Sequence, residues 1–157
     1  MGVIDVQKLS FPEALDVILR EDRRYDIEAY LFVREALDYT VKMLNKPPQG
    51  PERHISGQEL LEGIRQFAVC EYGPMALRVL NTWGVRRTAD FGEIVFNLVE
   101  KGVLGKTDRD KREDFAGGYD FADAFAKPFL PPSAQARPER KNENAERQKQ
   151  KTPSGNA

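Results

Sequence analysis

The sequence predicts a mainly α-helical fold, and two observations support this. Up to about residue 130, apolar residues recur at helical spacing, and glycine or proline interrupts each periodic segment. Residues 131–157 contain no aromatic or branched aliphatic side chain, which predicts a disordered C-terminal tail. We therefore expect a single helical domain over residues 1–130. It would comprise a helical hairpin at 8–45, a linker at 46–55 and a second helical unit at 56–130.

The N-terminal hairpin is predicted from two periodic segments. Ser10 and Glu13 have the spacing of a capping box, and apolar residues recur from Phe11 to Leu19. After a charged turn, a second helix is expected from about Asp26 to Leu44. Because that helix has two apolar stripes, we expect it to be the central core helix. Any surplus apolar surface on it is a candidate contact for a partner or a second copy.

The unit at 56–130 begins with three more helical segments. Ser56 and Glu59 form a second capping-box pattern. Glycines end the three segments, at Gly73, Gly84 and Gly102. The apolar run Val103–Thr107 predicts a short strand, and residues 113–116 would pair with it as a short β-hairpin. Three helices followed by a hairpin predict a winged-helix-like three-helix unit.

Charge and composition exclude several classes of function. Of the 24 Lys/Arg and 25 Asp/Glu residues, six basic and three acidic ones lie after residue 130, so the helical domain is mildly acidic. An acidic surface argues against broad electrostatic capture of nucleic acid. A lone cysteine, Cys70, excludes an intramolecular disulfide, and no stretch approaches the roughly 20 apolar residues that span a bilayer. We expect a cytoplasmic location and no membrane association.

Two loop patterns resemble ligand sites but are incomplete. Gly105-Lys106-Thr107 ends like a phosphate-binding loop, yet Glu100 occupies the position of the first glycine in that motif. The aspartates at 108, 110 and 114 lack the glycine that a calcium-binding loop requires at its sixth position. We read the first pattern as a solvated hairpin strand and the second as a hairpin tip.

The single histidine and the single cysteine offer little chemistry. His54 and Cys70 cannot form a zinc site without carboxylates that no spacing supports. A Cys–His nucleophile pair stays open in principle, although a cysteine within a helix is usually an inert packing residue. We expect no metal and no cofactor, and an enzyme that uses carboxylates is the weakest of the functional alternatives.

Basic residues near the last long helix are the candidate partner-binding or anion-binding site. Arg86 and Arg87 precede Thr88, which is expected to cap that helix, at the end where the helix dipole disfavours cations. An ion pair with Asp90 or Glu93, or else an anionic partner, would favour them there. The predicted hairpin contributes the remaining candidates, which are Lys106, Arg109, Lys111 and Arg112.

The helix Ala89–Lys101 would hold the recognition position if the unit bound DNA as winged-helix proteins do. The residues expected on its outer side are Glu93, Asn97, Glu100 and Lys101. Two glutamates would meet the DNA phosphates with like charge, so sequence-specific DNA binding is disfavoured.

Three long strings carry a resemblance to other proteins: SGQELLEGIRQFA, GPMALRVLNTWGVRRTADFGEIVFNLVEKGVLGKT and GGYDFADAFAKPF. With the hairpin before them, they resemble an uncharacterised family of short bacterial proteins over about residues 8 to 130. This resemblance implies no activity. The order of the elements is separately similar to winged-helix domains, which implies a fold and no function.

The leading hypothesis is a non-enzymatic protein-interaction or regulatory module that binds a protein partner or forms a homodimer. The alternative is nucleic-acid or ribonucleoprotein binding through the six basic candidates and the basic tail.

Overall fold

The computed structural model describes residues 9–47, 54–107 and 109–131, and these residues are mainly helical. The α-helices in these ranges are α1 (Phe11–Glu21), α2 (Ile27–Met43), α3 (Gly57–Tyr72), α4 (Ala76–Thr82), α5 (Thr88–Glu100) and α6 (Phe121–Phe125). Short 3₁₀ helices occur at Gly73–Met75, Arg112–Phe115 and Lys127–Phe129. Much of the predicted linker and nearly all of the predicted tail lie outside the described residues.

The helices begin where side chains accept the free backbone N–H groups. Ser10 Oγ accepts from Glu13 N at 3.3 Å, as the spacing predicts. At α3 the capping box is complete, because Ser56 Oγ accepts from Glu59 N at 3.1 Å and Glu59 accepts from Ser56 N at 2.9 Å. The predicted helix starts at these two serines are confirmed.

Three helices end in the same hydrogen-bonded motif. The residue after each C-cap has a positive φ: 54° at Asn45, 90° at Gly84 and 77° at Gly102. The following residue donates to the carbonyl five positions earlier, in the pairs Lys46 to Val41, Val85 to Leu80 and Val103 to Leu98. This Schellman arrangement satisfies carbonyls that the helix leaves open. It explains why both glycines end helices as predicted.

The predicted β-hairpin is wrong, and its absence removes the wing from the winged-helix-like unit. The three described ranges contain no strand, and Val103–Thr107 forms a bend followed by irregular structure. Because the Val103 N–H closes the α5 end motif, it cannot pair with a second strand. Most of the predicted second strand, residues 113–116, belongs instead to the 3₁₀ helix Arg112–Phe115.

Residues 103–107 and 109–118, which we call the return segment, run back along α5 in place of a wing. Phe115 is buried at 4% exposure and packs against glycines on two helices. A Cβ at Gly92 of α5 would lie 2.8 Å from Phe115 Cβ, and one at Gly57 of α3 would lie 3.3 Å from its ring. Further along, Gly118 N donates to Thr88 Oγ1 at 3.0 Å. The return segment is therefore anchored near the start of α5.

Helix α2 is the central core helix that its two apolar stripes predict. Ala29, Phe32, Val33 and Ala36 are almost completely buried, and the Phe32 ring stacks on Phe67 of α3 with centroids 5.4 Å apart. Gly63 of α3 faces Thr40 so closely that a Cβ there would overlap the threonine hydroxyl. One apolar core includes residues of the hairpin and of the second unit.

Replacement of Gly63 by alanine is expected to destabilise the protein, although alanine normally favours a helix. Thr40 Oγ1 is held by a 2.7 Å hydrogen bond to Ala36 O, so α2 and α3 must separate to admit a methyl group. Overpacking of this kind costs about 1–3 kcal/mol. Urea unfolding measures the loss. The control is Gly105→Ala, because a Cβ at Gly105 would meet nothing within 4 Å. Equal stability of the two variants would contradict the close packing.

Candidate interaction groove

An open apolar groove of ≈ 640 Å³ lies between α2, the start of α3, α5 and the return segment. Its size falls within the range of about 300–1,000 Å³ that is usual for ligand sites. Aliphatic side chains that are only partly buried line much of it, namely Leu37, Val95, Val99, Val103 and Leu104. Leu37 belongs to one of the two α2 stripes, so part of the expected surplus surface of α2 faces this groove.

His54 and Asp110 form a polar contact at the rim of the groove. His54 Nε2 lies 3.2 Å from Asp110 Oδ1, and Lys46 Nζ donates to His54 O at 2.7 Å. Asp110 Oδ2 also accepts from Thr107 N at 2.7 Å. Burial would raise the pKa of Asp110, but the hydrogen bonds from Thr107 and His54 outweigh it and lower that pKa. These contacts tie the segment that leads into α3 to the return segment.

The cations at the rim have fewer contacts than the acids. Lys106 lines the groove, is exposed, and forms no hydrogen bond or ion pair within the described ranges. Arg34 also lines it, and its guanidinium lies over the Phe11 ring, 4.5 Å from the centroid. By contrast, Asp114 Oδ2 accepts from Lys111 N at 3.0 Å.

Arg86 and Arg87 lie at the start of α5, where Asp90 supplies the negative charge. Asp90 Oδ2 accepts from Arg86 N at 2.9 Å and from Arg87 N at 3.2 Å. Its Oδ1 accepts from Tyr25 OH at 2.7 Å and lies 3.9 Å from Arg87 Nε. Burial and the Asp90 contact raise the pKa of Tyr25. An ion pair with Asp90, one of the expected partners, is thus present for Arg87, although it is long.

The expectation that Thr88 caps α5 is wrong. Thr88 is the first residue of the helix and is 1% exposed, and its hydroxyl accepts from Gly118 N instead. Arg87 occupies the N-cap position, and the Asp90 carboxylate satisfies its N–H from inside the helix. The Thr88 hydroxyl bonds to the return segment because that segment packs across the start of α5.

Several residues on the outer side of α5 make contacts within the chain, although the Glu100 side chain stays largely exposed. Arg112 bridges Glu93 and Glu100, each at 3.2 Å, and its guanidinium lies 5.4 Å from the Phe96 ring centroid. Asn97, expected on the outside, donates to Asp22 Oδ2 and to Tyr30 OH, both at 3.0 Å. In a winged-helix protein this side of the helix would read DNA. Here it contacts the N-terminal helical hairpin and the return segment.

The six basic candidates do not form one patch. Arg86 and Arg87 precede α5, whereas Lys106 follows its end, and a helix of 13 residues is about 20 Å long. Arg112 is engaged by two glutamates, while Arg109 and Lys111 are exposed on the return segment. Residues 86–118 contain seven basic and seven acidic side chains, so the region has no net charge.

His54 and Cys70, the pair left open as a possible Cys–His nucleophile, lie far apart. His54 precedes α3 and Cys70 lies near its other end, about 20 Å away along the helix. In the described part of the chain, His54 bonds to no hydroxyl or thiol, and no three His, Cys, Asp or Glu residues are grouped to hold a metal ion. None of the described helices is both long enough and apolar enough to cross a membrane.

The groove was not predicted as a site. Leu37 was the residue with a sequence signal, since it lies on one of the two apolar stripes of α2. No sequence signal indicated that His54 and Asp110 lie together, because they are 56 residues apart and meet only through the path of the return segment.

Comparison of the chain with protein-family models, with curated proteins and with solved structures gives no match. Membership of the bacterial family therefore stays a prediction.

Replacement of Asp22 by asparagine is expected to destabilise the protein in a pH-dependent way. Hydrogen bonds from Arg24, and a further one from Asn97, hold the pKa of Asp22 below its ordinary value of 3.8 although burial opposes them. The carboxylate therefore stabilises the fold above about pH 4, and this contribution is lost as the pH falls through the lowered pKa. We expect Asp22→Asn to cost about 1 kcal/mol at pH 7.

Chemical denaturation at pH 7 and at about pH 2 or below measures this effect, because the contribution starts to fall only below about pH 4 and is lost near the lowered pKa. The difference between wild type and Asp22→Asn should shrink at the lower pH. Asp16→Asn, at an exposed position on α1, is the matched control and should change little at either pH. A cost for Asp22→Asn that is equally large at both pH values would contradict the charge-based account.

Proposed function

We propose that this chain is a non-enzymatic protein-interaction module and that the groove between α2 and α5 is its binding surface. The observation that carries the proposal is the cluster of partly buried aliphatic side chains on the groove walls. Contiguous apolar surface framed by polar residues marks interaction sites more often than scattered apolar residues do. A partner segment that inserts two or three apolar side chains would remove this surface from water.

The walls of the groove are held in place before any partner binds. Val95 and Val99 project from α5, and Leu37 from α2, which is packed tightly on α3. The return-segment wall is held by Phe115 and by the His54–Asp110 contact. A preformed groove favours binding because little ordering entropy is lost on association.

Two further observations favour a protein partner over nucleic acid. The six basic candidates are dispersed among seven acids in residues 86–118, so they offer no electrostatic track for phosphates. The aromatic rings near the groove are also engaged, since Arg112 lies over Phe96 and Phe115 is buried. Bases would find no free ring on which to stack there.

Substitution of Leu104 by glutamate tests this function. We expect peptides selected from a phage-displayed library of random 12-residue sequences to bind the full chain and to lose at least tenfold in affinity with Leu104→Glu. A buried charge in the groove would oppose the apolar contact. Fluorescence polarisation measures the affinities.

Leu130→Glu is the matched control, because Leu130 is 43% exposed and lines a different surface groove, beside α4. Leu130→Glu should bind the selected peptides with the affinity of the wild type. A thermal midpoint close to that of the wild type shows for each variant that the fold is intact. Failure to select any peptide, or equal binding to both variants, would contradict the proposed function.

A further inference from the structure

We infer that the partner is a peptide segment of another protein that carries a carboxylate beside its apolar anchors, and that Lys106 binds this carboxylate. The inference rests on the proposed function and adds the chemistry of the partner. It follows from which charged groups at the rim are already engaged and which are available.

Three acids line the groove, and each has a partner within the chain: Asp38, Asp110 and Asp114. Asp110 contacts His54 and accepts two hydrogen bonds from Thr107, one from its N–H at 2.7 Å and one from its hydroxyl at 3.3 Å. Asp114 accepts from Lys111 N at 3.0 Å, and its Cβ lies against Gly57. A cation of the partner would have to compete with these contacts.

Two cations at the rim, in contrast, keep donors for a partner. Lys106 is exposed and has no hydrogen bond or ion pair among the described residues. It follows Val103 and Leu104 on the same wall, so a carboxylate bound to it would be next to an apolar anchor. Arg34 is occupied only on the face of its guanidinium, by Phe11, and N–H groups at the edge of a guanidinium can still donate.

A second copy of the chain fits this groove less well. A two-fold dimer places the same patch of each copy against the other. Two concave surfaces would then face each other, leaving both apolar floors uncovered. A convex or extended acidic segment fills the groove and meets Lys106 with opposite charge.

Charge reversal at Lys106 tests the inference. A random 12-residue library is selected in parallel on the full chain, on Lys106→Glu and on the control Lys42→Glu, which changes an exposed lysine of α2 that does not line the groove. We expect Asp or Glu beside apolar residues in the peptides from wild type and from the control. Lys106→Glu should instead select Lys or Arg at that position.

Affinities measured at two salt concentrations complete the test. A wild-type-selected acidic peptide should bind Lys106→Glu about tenfold more weakly at 50 mM salt, with a smaller difference at 500 mM, because an exposed ion pair is screened. Peptides that depend on Leu104 but show no acidic preference would overturn this inference and leave the proposed function standing. A dimer in light scattering that Leu104→Glu dissociates would also overturn it, by assigning the groove to a second copy.

Discussion

Phe115 packs where two helices carry glycine, and the rest of the second unit depends on that contact. Gly57 at the start of α3 and Gly92 in α5 leave room for its ring and Cβ, which any larger side chain would occupy. Phe115 thereby holds the return segment along α5 with few backbone hydrogen bonds to the helix. Burial of a phenylalanine stabilises a fold by roughly 1.5–3 kcal/mol, enough to fix a short segment that lacks regular structure.

That contact has two consequences for function. Arg112, three residues earlier, is brought over Phe96 and between Glu93 and Glu100, so both glutamates on the outer side of α5 are paired within the chain. Val103 and Leu104 become one wall of the space beside α2. The same segment thus covers one side of α5 and forms a groove on another. The basic candidates that were expected on the β-hairpin are distributed along this segment among acids.

The parts of the fold that local chemistry determines were predictable from the sequence. Ser56 with Glu59, and Gly84 and Gly102, act through partners within five residues, and helix starts and ends followed from them. The β-hairpin prediction failed because the local sequence around Val103 fits two structures. An apolar residue after a glycine can begin a strand, or it can close the end of the preceding helix. Tertiary packing of Phe115 decides between them. The groove was beyond prediction for a related reason, since His54 and Asp110 meet through a chain path that no spacing encodes.

Nuclear Overhauser effects from the Phe115 ring test the central claim most directly. In the isotopically labelled full chain, the account predicts cross-peaks between the Phe115 ring protons and the α-protons of both Gly57 and Gly92. It also predicts no cross-strand cross-peaks between residues 103–107 and 113–116. Cross-strand peaks between those two stretches, with none from Phe115 to the two glycines, would establish a β-wing and contradict the account.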